Sequence, residues 1–284
     1  MLRRLLIVVA ALALSGCSGL RLGYDHADTV IAFRMNDWFA LSGDVEDAAK
    51  DGVRRVKAWH RREELPQYAA MLREVDARLA DPRPLTAAEV LTMQQRVTQR
   101  LLRVGDRVAS EFAPVLAGFG PRQRERLAAK IEDSNRDFRK ENVDRPLARL
   151  RERRLDETID RYEFWLGRLD RAQRERIRQW IDGVDPDPQG RLAQRLRRQQ
   201  TFVAIVDAAP SVPQAQTAAS LRALFADFDT PADPAARERR QAMLAGWAAM
   251  TADLINGATP AQRTRARERL RSMEEDFTVL SREH

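Results

Sequence analysis

Cysteine is nearly absent from this chain, and its absence removes several kinds of chemistry at once. Cys17 stands alone among 284 residues, so no intramolecular disulfide can form and no thiolate cluster can hold a metal. Histidine is scarce too, limited to His26, His60 and His284, which are too few and too scattered for a metal-binding set. Neither a metal nor a cofactor is expected. The sequence contains no Gly-x-Ser-x-Gly, no His-Glu-x-x-His, no phosphate-binding loop and no Gly-x-Gly-x-x-Gly, so the common catalytic templates are missing. A cell-wall-cleaving helical enzyme would need one acid in an apolar cleft, and no single glutamate stands out for that role. The expectation is a protein that is not an enzyme. No run alternates at period two, which leaves a sheet without support. The one long apolar run, Leu5 to Leu14, has ten residues, half of the roughly 20 that a membrane-spanning helix needs. Lysine occurs only at Lys50, Lys57, Lys130 and Lys140, so the 49 basic residues are almost all arginine.

What is present begins at the N-terminus. Arg3 and Arg4 form a positive start, the apolar run follows, and Ser15-Gly16 are small residues before a cut site, the order expected of a secretion signal over residues 1–16. Leu14-Ser15-Gly16-Cys17 resembles the lipobox of bacterial lipoproteins. That resemblance implies a lipidated, acylated Cys17 (palmitate among the usual chains) and a membrane reached through lipid, because two or more acyl chains bind stably where one binds marginally. Ser18, in place of the aspartate that retains such proteins on the inner membrane, implies the outer membrane, facing the periplasm. The chain carries +7, and loss of Arg3 and Arg4 leaves +5. A basic balance raises nucleic acid as a partner, but an exported, anchored chain is expected to meet none. Anionic lipid and other envelope proteins are the partners to expect.

The 268 residues after the cut read as all-α. Residues 17–25 are expected to be a lipidated tether and 26–284 one helical domain, an antiparallel multi-helix bundle or short helical solenoid of about nine to ten helices. The clearest segment opens at Thr86, a helix cap with Glu89 as its reciprocal partner. Val90, Met93, Val97, Leu101, Val104, Val108, Phe112 and Val115 then place one apolar stripe along a helix of about 30 residues. Other stripes are Leu155, Ile159, Tyr162, Leu166 and Leu169; Leu192, Leu196, Val203 and Val206; Met243, Trp247, Met250 and Leu254; and Ala266, Leu270, Met273, Phe277 and Leu280. Breaks are expected at the proline and glycine clusters around 81–84, 118–121, 145–146, 185–188, 210–213, 230–234 and 257–260. Gln123-Arg124-Glu125-Arg126-Leu127 recurs as Gln173-Arg174-Glu175-Arg176-Ile177, and Thr259-Pro260-Ala261-Gln262-Arg263 echoes the opening. A reused helix start explains this repeat better than a ligand-binding unit.

The densest cluster is Trp59-His60-Arg61-Arg62-Glu63-Glu64-Leu65-Pro66-Gln67-Tyr68. A histidine beside two carboxylates suggests acid–base chemistry, yet His60 continues the apolar face of Val45, Ala49, Val53 and Val56, where a histidine fills a core edge and hydrogen-bonds once. Pro66 is expected to kink or restart the helix, with Glu63 and Glu64 at the new N-terminus. In Arg161-Tyr162-Glu163-Phe164-Trp165-Leu166-Gly167-Arg168-Leu169 a buried junction between helices is expected, relaxed by Gly167. Residues 161–200 hold ten arginines against six acids. Within them Arg168, Arg171, Arg174 and Arg178, then Arg191, Arg195 and Arg198, follow helical spacing and mark a candidate anion-binding surface. A solvated arginine-rich face would read the same way.

Two resemblances add to this. The lipobox at Cys17, Tyr24, Trp38-Phe39, Trp59-His60-Arg61 to Leu65-Pro66, and Trp165-Leu166-Gly167 to Leu169 with Gln173 resemble an uncharacterised domain-of-unknown-function family of Gram-negative lipoproteins. That resemblance implies location and helicity but no reaction. The Thr-Pro-x-Gln-Arg start at Thr259 resembles the Leu-Thr-x-x-Gln motif of periplasmic chaperones of the Spy and CpxP type, which implies a binder of unfolded chains. The expected role is a non-enzymatic scaffold or assembly factor of the cell envelope.

Overall fold

The computed structural model describes residues 18–283, and all of their regular structure is helical. In chain order the elements are α1 (Ser18–Asp25), α2 (Ala27–Phe39), α3 (Gly43–Trp59), a π turn (His60–Glu64), α4 (Leu65–Ala80), α5 (Ala87–Ala117) and α6 (Pro121–Asn142). They continue as α7 (Leu147–Leu166), α8 (Arg171–Asp182), α9 (Pro188–Ala208), a 3-10 turn (Ala209–Ser211), α10 (Gln214–Asp229), α11 (Pro234–Asn256) and α12 (Pro260–Arg282). Since α3, the π turn and α4 form one uninterrupted rod, the described residues make eleven separate rods instead of nine to ten. Cys17 and the segment read as a secretion signal lie outside the described residues. The stretch read as a tether is helical from Ser18 and is held down, because Arg21 Nε donates to Asp276 Oδ1 at 2.6 Å.

Every expected break falls between helices, because proline and cap side chains act on the backbone beside them. Glu89 N donates to Thr86 Oγ1 at 3.2 Å while Thr86 N donates to Glu89 Oε2 at 2.8 Å, and the helix they start runs 31 residues. At α9 the cap is Asp187, which accepts from Gly190 N at 2.9 Å. A Cβ on Gly190 would lie 2.1 Å from that carboxylate, so only glycine lets the cap close. Gly167 ends α7 at φ 77°, a conformation that side chains resist, with Arg265 packed over it.

Two main cores result. The first joins Leu41, Ala109, Val115, Leu116, Phe119, Leu127, Val206 and Leu221, drawn from α5, α6, α9, α10 and the connections between helices. The second joins Leu155, Tyr162, Leu166, Leu169, Ile177, Ile181, Met250, Leu254 and Ala266, from α7, α8, α11, α12 and the turn after α7. α5 links them, since its start packs Val90 on Ala248 and Ala252 of α11 while its end enters the first core. Midway its stripe is uncovered: Val97 is 43% and Leu101 60% exposed. The stripe read as continuous therefore spans a gap between two packing partners.

The repeat proves to be a set of helix starts, and two copies meet. Gln123, Gln173 and Gln262 each accept from the backbone N–H three residues before, at 3.0 Å. The arginine after each donates to a carbonyl five residues back, from Arg124 to Phe119, Arg174 to Leu169 and Arg263 to Ala258. The buried amides of Gln173 and Gln262 then exchange hydrogen bonds at 2.9 and 3.0 Å, joining the starts of α8 and α12. Gln262→Ala leaves the Gln173 amide and the Arg168 carbonyl unpaired in the interior. The expected loss is about 1–3 kcal/mol in urea unfolding, with strong coupling to Gln173→Ala in a double-mutant cycle.

Candidate functional site

Pro66 has no N–H to donate, and its ring crowds the carbonyl four residues before it. The chain accommodates this by widening one turn ahead of it, so that Leu65 N–H reaches His60 O across five residues. The helical assignment continues through it without a break. This π turn carries the cluster singled out in the sequence, and such turns often lie at functional sites. Glu64 does not serve a helix N-terminus as expected. It is completely buried and accepts from Arg100 at 2.8 and 3.2 Å, with Arg103 at 3.4 Å. Sequence reading missed this pairing, because Arg100 and Arg103 look like ordinary polar positions on a long helix.

His60 has the role expected of it. Its Nδ1 lies 3.0 Å from Tyr24 Oη, and its ring sits between Tyr24 and Tyr68, with Phe277 beyond Tyr68. Burial pushes the imidazole down to about 4 and both tyrosines up to about 12. The ring is therefore neutral at physiological pH, and its hydrogen-bonding partner is a phenol and not a carboxylate. This arrangement fastens α1, the π turn, α4 and α12 together.

The candidate arginines divide into two groups. Arg168, Arg171, Arg174 and Arg178 line one cleft of about 850 Å³ on α7, α8 and the turn between them, over Leu155, Ile159 and Leu169. Arg174 is held by Glu163 at 2.6 Å and by the Leu169 carbonyl, and Arg178 lies 3.8 Å from Glu175. Arg168 and Arg171 are exposed, and no ion pair involves them among the described residues. Of the lining carboxylates, Asp170 is engaged as the cap of α8 and Asp156 lies at the wall. The other group, on α9, is not part of that lining. Arg195 bonds Ser134 and Asn135 and lies over Phe138, whereas Arg198 pairs with Asp227 and lies over Phe228. Arg191 sits above Phe138 and near Arg154, a half-buried cation stacked 5.2 Å over Trp180. Burial and the neighbouring Arg191 and Arg161 hold Arg154 below the ordinary arginine range. Arg191, Arg195 and Arg198 do not line that cleft: α8 packs on α7 and α11, α9 on α6 and α10. Cys17, the lipidation candidate, lies outside the described residues.

Helix throughout the described residues, a half-buried aromatic stack at a π turn and a cleft lined by arginines define an all-α protein. Residues 37–227 match the family of unknown function DUF6279, and the chain belongs to that family. The matched region takes in both the π turn and the arginine cleft. No curated protein and no solved structure matches the chain.

A pH dependence follows from His60. Its unfolded imidazole takes up a proton near the ordinary value of 6.5, and the folded one only near 4. Stability is therefore full above 6.5 and falls as the pH drops towards 4, where the loss levels off. Thermal unfolding of the parent and of His60→Ala should show this: the variant melts modestly lower at pH 7, and the gap narrows towards pH 4. A gap that stays constant with pH would remove the titration from this account.

Proposed function

We propose that the mature chain is an antiparallel helical bundle tethered by lipid on Cys17 to the outer membrane, facing the periplasm. There it acts without catalysis as a scaffold or assembly factor, holding an anionic envelope component. A bundle is favoured over a solenoid because α12 packs on α4 and α5 packs on α10 and α11, contacts far along the chain that a stack of nearest neighbours would lack. The observation that carries the binding reading is the cleft beside α8. Leu155, Ile159 and Leu169 give it an apolar portion within a mostly charged lining, and Arg168 and Arg171 make no ion pair there among the described residues. That combination suits a phosphate or carboxylate on an apolar body, because each arginine near a lipid phosphate contributes about 1 kcal/mol.

Short-chain phosphatidylglycerol below its micelle concentration is the probe. The unlipidated parent should bind it in a salt-dependent way and bind the phosphatidylcholine analogue much less. Arg168→Glu, Arg171→Glu and Arg178→Glu together should weaken binding by up to about a hundredfold. Unchanged binding would return the cleft to ordinary surface. In membranes, cross-linking should capture one dominant partner, whereas many partners would point instead to a chaperone of unfolded chains. Cys17→Ser should release the protein from the membrane fraction, and its retention after a salt wash would refute the lipid anchor.

A further inference from the structure

The first two helices carry apolar side chains on both sides. Inward, Met35, Trp38 and Phe39 of α2 pack on the first core. Outward, Leu22, Val30 and Phe33 are 58%, 43% and 69% exposed, and α2 buries no residue completely. The helical register carries across the break between α1 and α2: His26 N donates to Leu22 O at 3.3 Å, and Val30 N donates to His26 O at 3.1 Å. Positions 22, 26, 30 and 33 are spaced by four, four and three, so they share one face of a nearly continuous rod. That face has a fixed direction. Arg21 pairs with Asp276, Tyr24 meets His60, and Lys57 donates to Asp25 O at 2.6 Å and to Asp28 Oδ1 at 2.8 Å.

We infer that this outward face is seated in the lipid surface, so that the bundle lies against the membrane in a defined orientation. The inference rests on the lipid-anchor reading above. Cys17 is the residue immediately before α1, and one residue of chain reaches no more than about 3.6 Å. Acyl chains on Cys17 therefore enter the bilayer beside the first turn of α1, with no slack to lift the body away. From Leu22 to Phe33 the rod covers about 16 Å, and a helix lying in the interface sinks its apolar side chains into the boundary between headgroups and acyl chains. Arg34, exposed on the flank of the stripe, supplies a cation at headgroup level. Single exposed apolar residues are ordinary on a protein surface. Three in helical register, fixed in direction and following the anchor point, match a membrane.

The test replaces the lipid with a separate tether, so that it does not depend on acylation. Mature Cys17→Ser protein with an N-terminal hexahistidine is bound to phosphatidylethanolamine/phosphatidylglycerol vesicles containing a nickel-chelating lipid, at salt high enough to screen the arginine cleft. An environment-sensitive fluorophore is placed at Phe33→Cys or, as a control, at Leu147→Cys, which is also exposed. The expected result is a blue-shifted emission and quenching by brominated acyl chains at position 33 and neither at position 147. Equal responses at the two positions would overturn the inference. So would a shift at position 33 that grows with protein concentration without vesicles, which would identify a second copy as the occupant. Without the tether, Leu22→Asp with Val30→Asp and Phe33→Asp should lower vesicle affinity roughly tenfold or more. Phe33→Ser alone should lower it in the same direction if the triple variant folds poorly. Mass spectrometry of Cys17 from cells decides the anchor reading separately.

Discussion

A carboxylate removed from water costs several kcal/mol unless charge and hydrogen bonds compensate it. Glu64 is the carboxylate on which this architecture turns. It sits at the end of the π turn, completely buried, and its compensation comes from Arg100 and Arg103 on another helix. The pair therefore does more than neutralise a charge, because it locks the rod formed by α3 and α4 in register against α5. Several helices pack on those two rods: α12 lies on α4, α10 and α11 lie on α5, and α2 lies on α3.

That dependence changes how the arginine content reads. An arginine-rich composition suggests either genomic bias or a need for anion recognition, and in the structure much of it serves a third purpose. Arg267 and Arg271 both clamp Asp76, tying α12 to α4, Arg73 reaches Glu274 between the same helices, and Arg96 reaches Glu74. Each such surface pair contributes little alone, but the fork of a guanidinium fixes direction as well as charge. Other arginines lie over aromatic rings, as Arg269 does over Phe164. Arg168 and Arg171 have no such task among the described residues, as is also true of the exposed Arg34, Arg62, Arg122 and Arg139, and what distinguishes them is that they line one cleft together.

The two proposed surfaces place different demands on the fold. The cleft needs a rigid floor, which α7 and α8 provide through the second core and the paired caps at Gln173 and Gln262. The N-terminal face needs a fixed orientation, which the stack of Tyr24, His60, Tyr68 and Phe277 provides by holding α1 on the body. The histidine that sits beside two carboxylates in the sequence is thus a piece that joins α1 to the body.

Sequence alone determined what local rules govern. Helix periodicity, the Thr86 capping box, the proline and glycine breaks and the reused Gln-Arg starts were all legible, because each depends on groups within about five residues along the chain. The candidate arginines of α8 were legible as one face for the same reason. That Arg195 and Arg198 do not line the same cleft was not, since neighbours in sequence order need not be neighbours in space. Only the tertiary structure decided that Glu64 meets Arg100, 36 residues away, that Gln173 meets Gln262, 89 away, and that Arg21 docks on Asp276, 255 away. It also decided that Val97 and Leu101 stay exposed within an otherwise covered stripe. Amphipathicity specifies which side of a helix seeks a partner, and the competition among all helices for buried area decides which partner it receives.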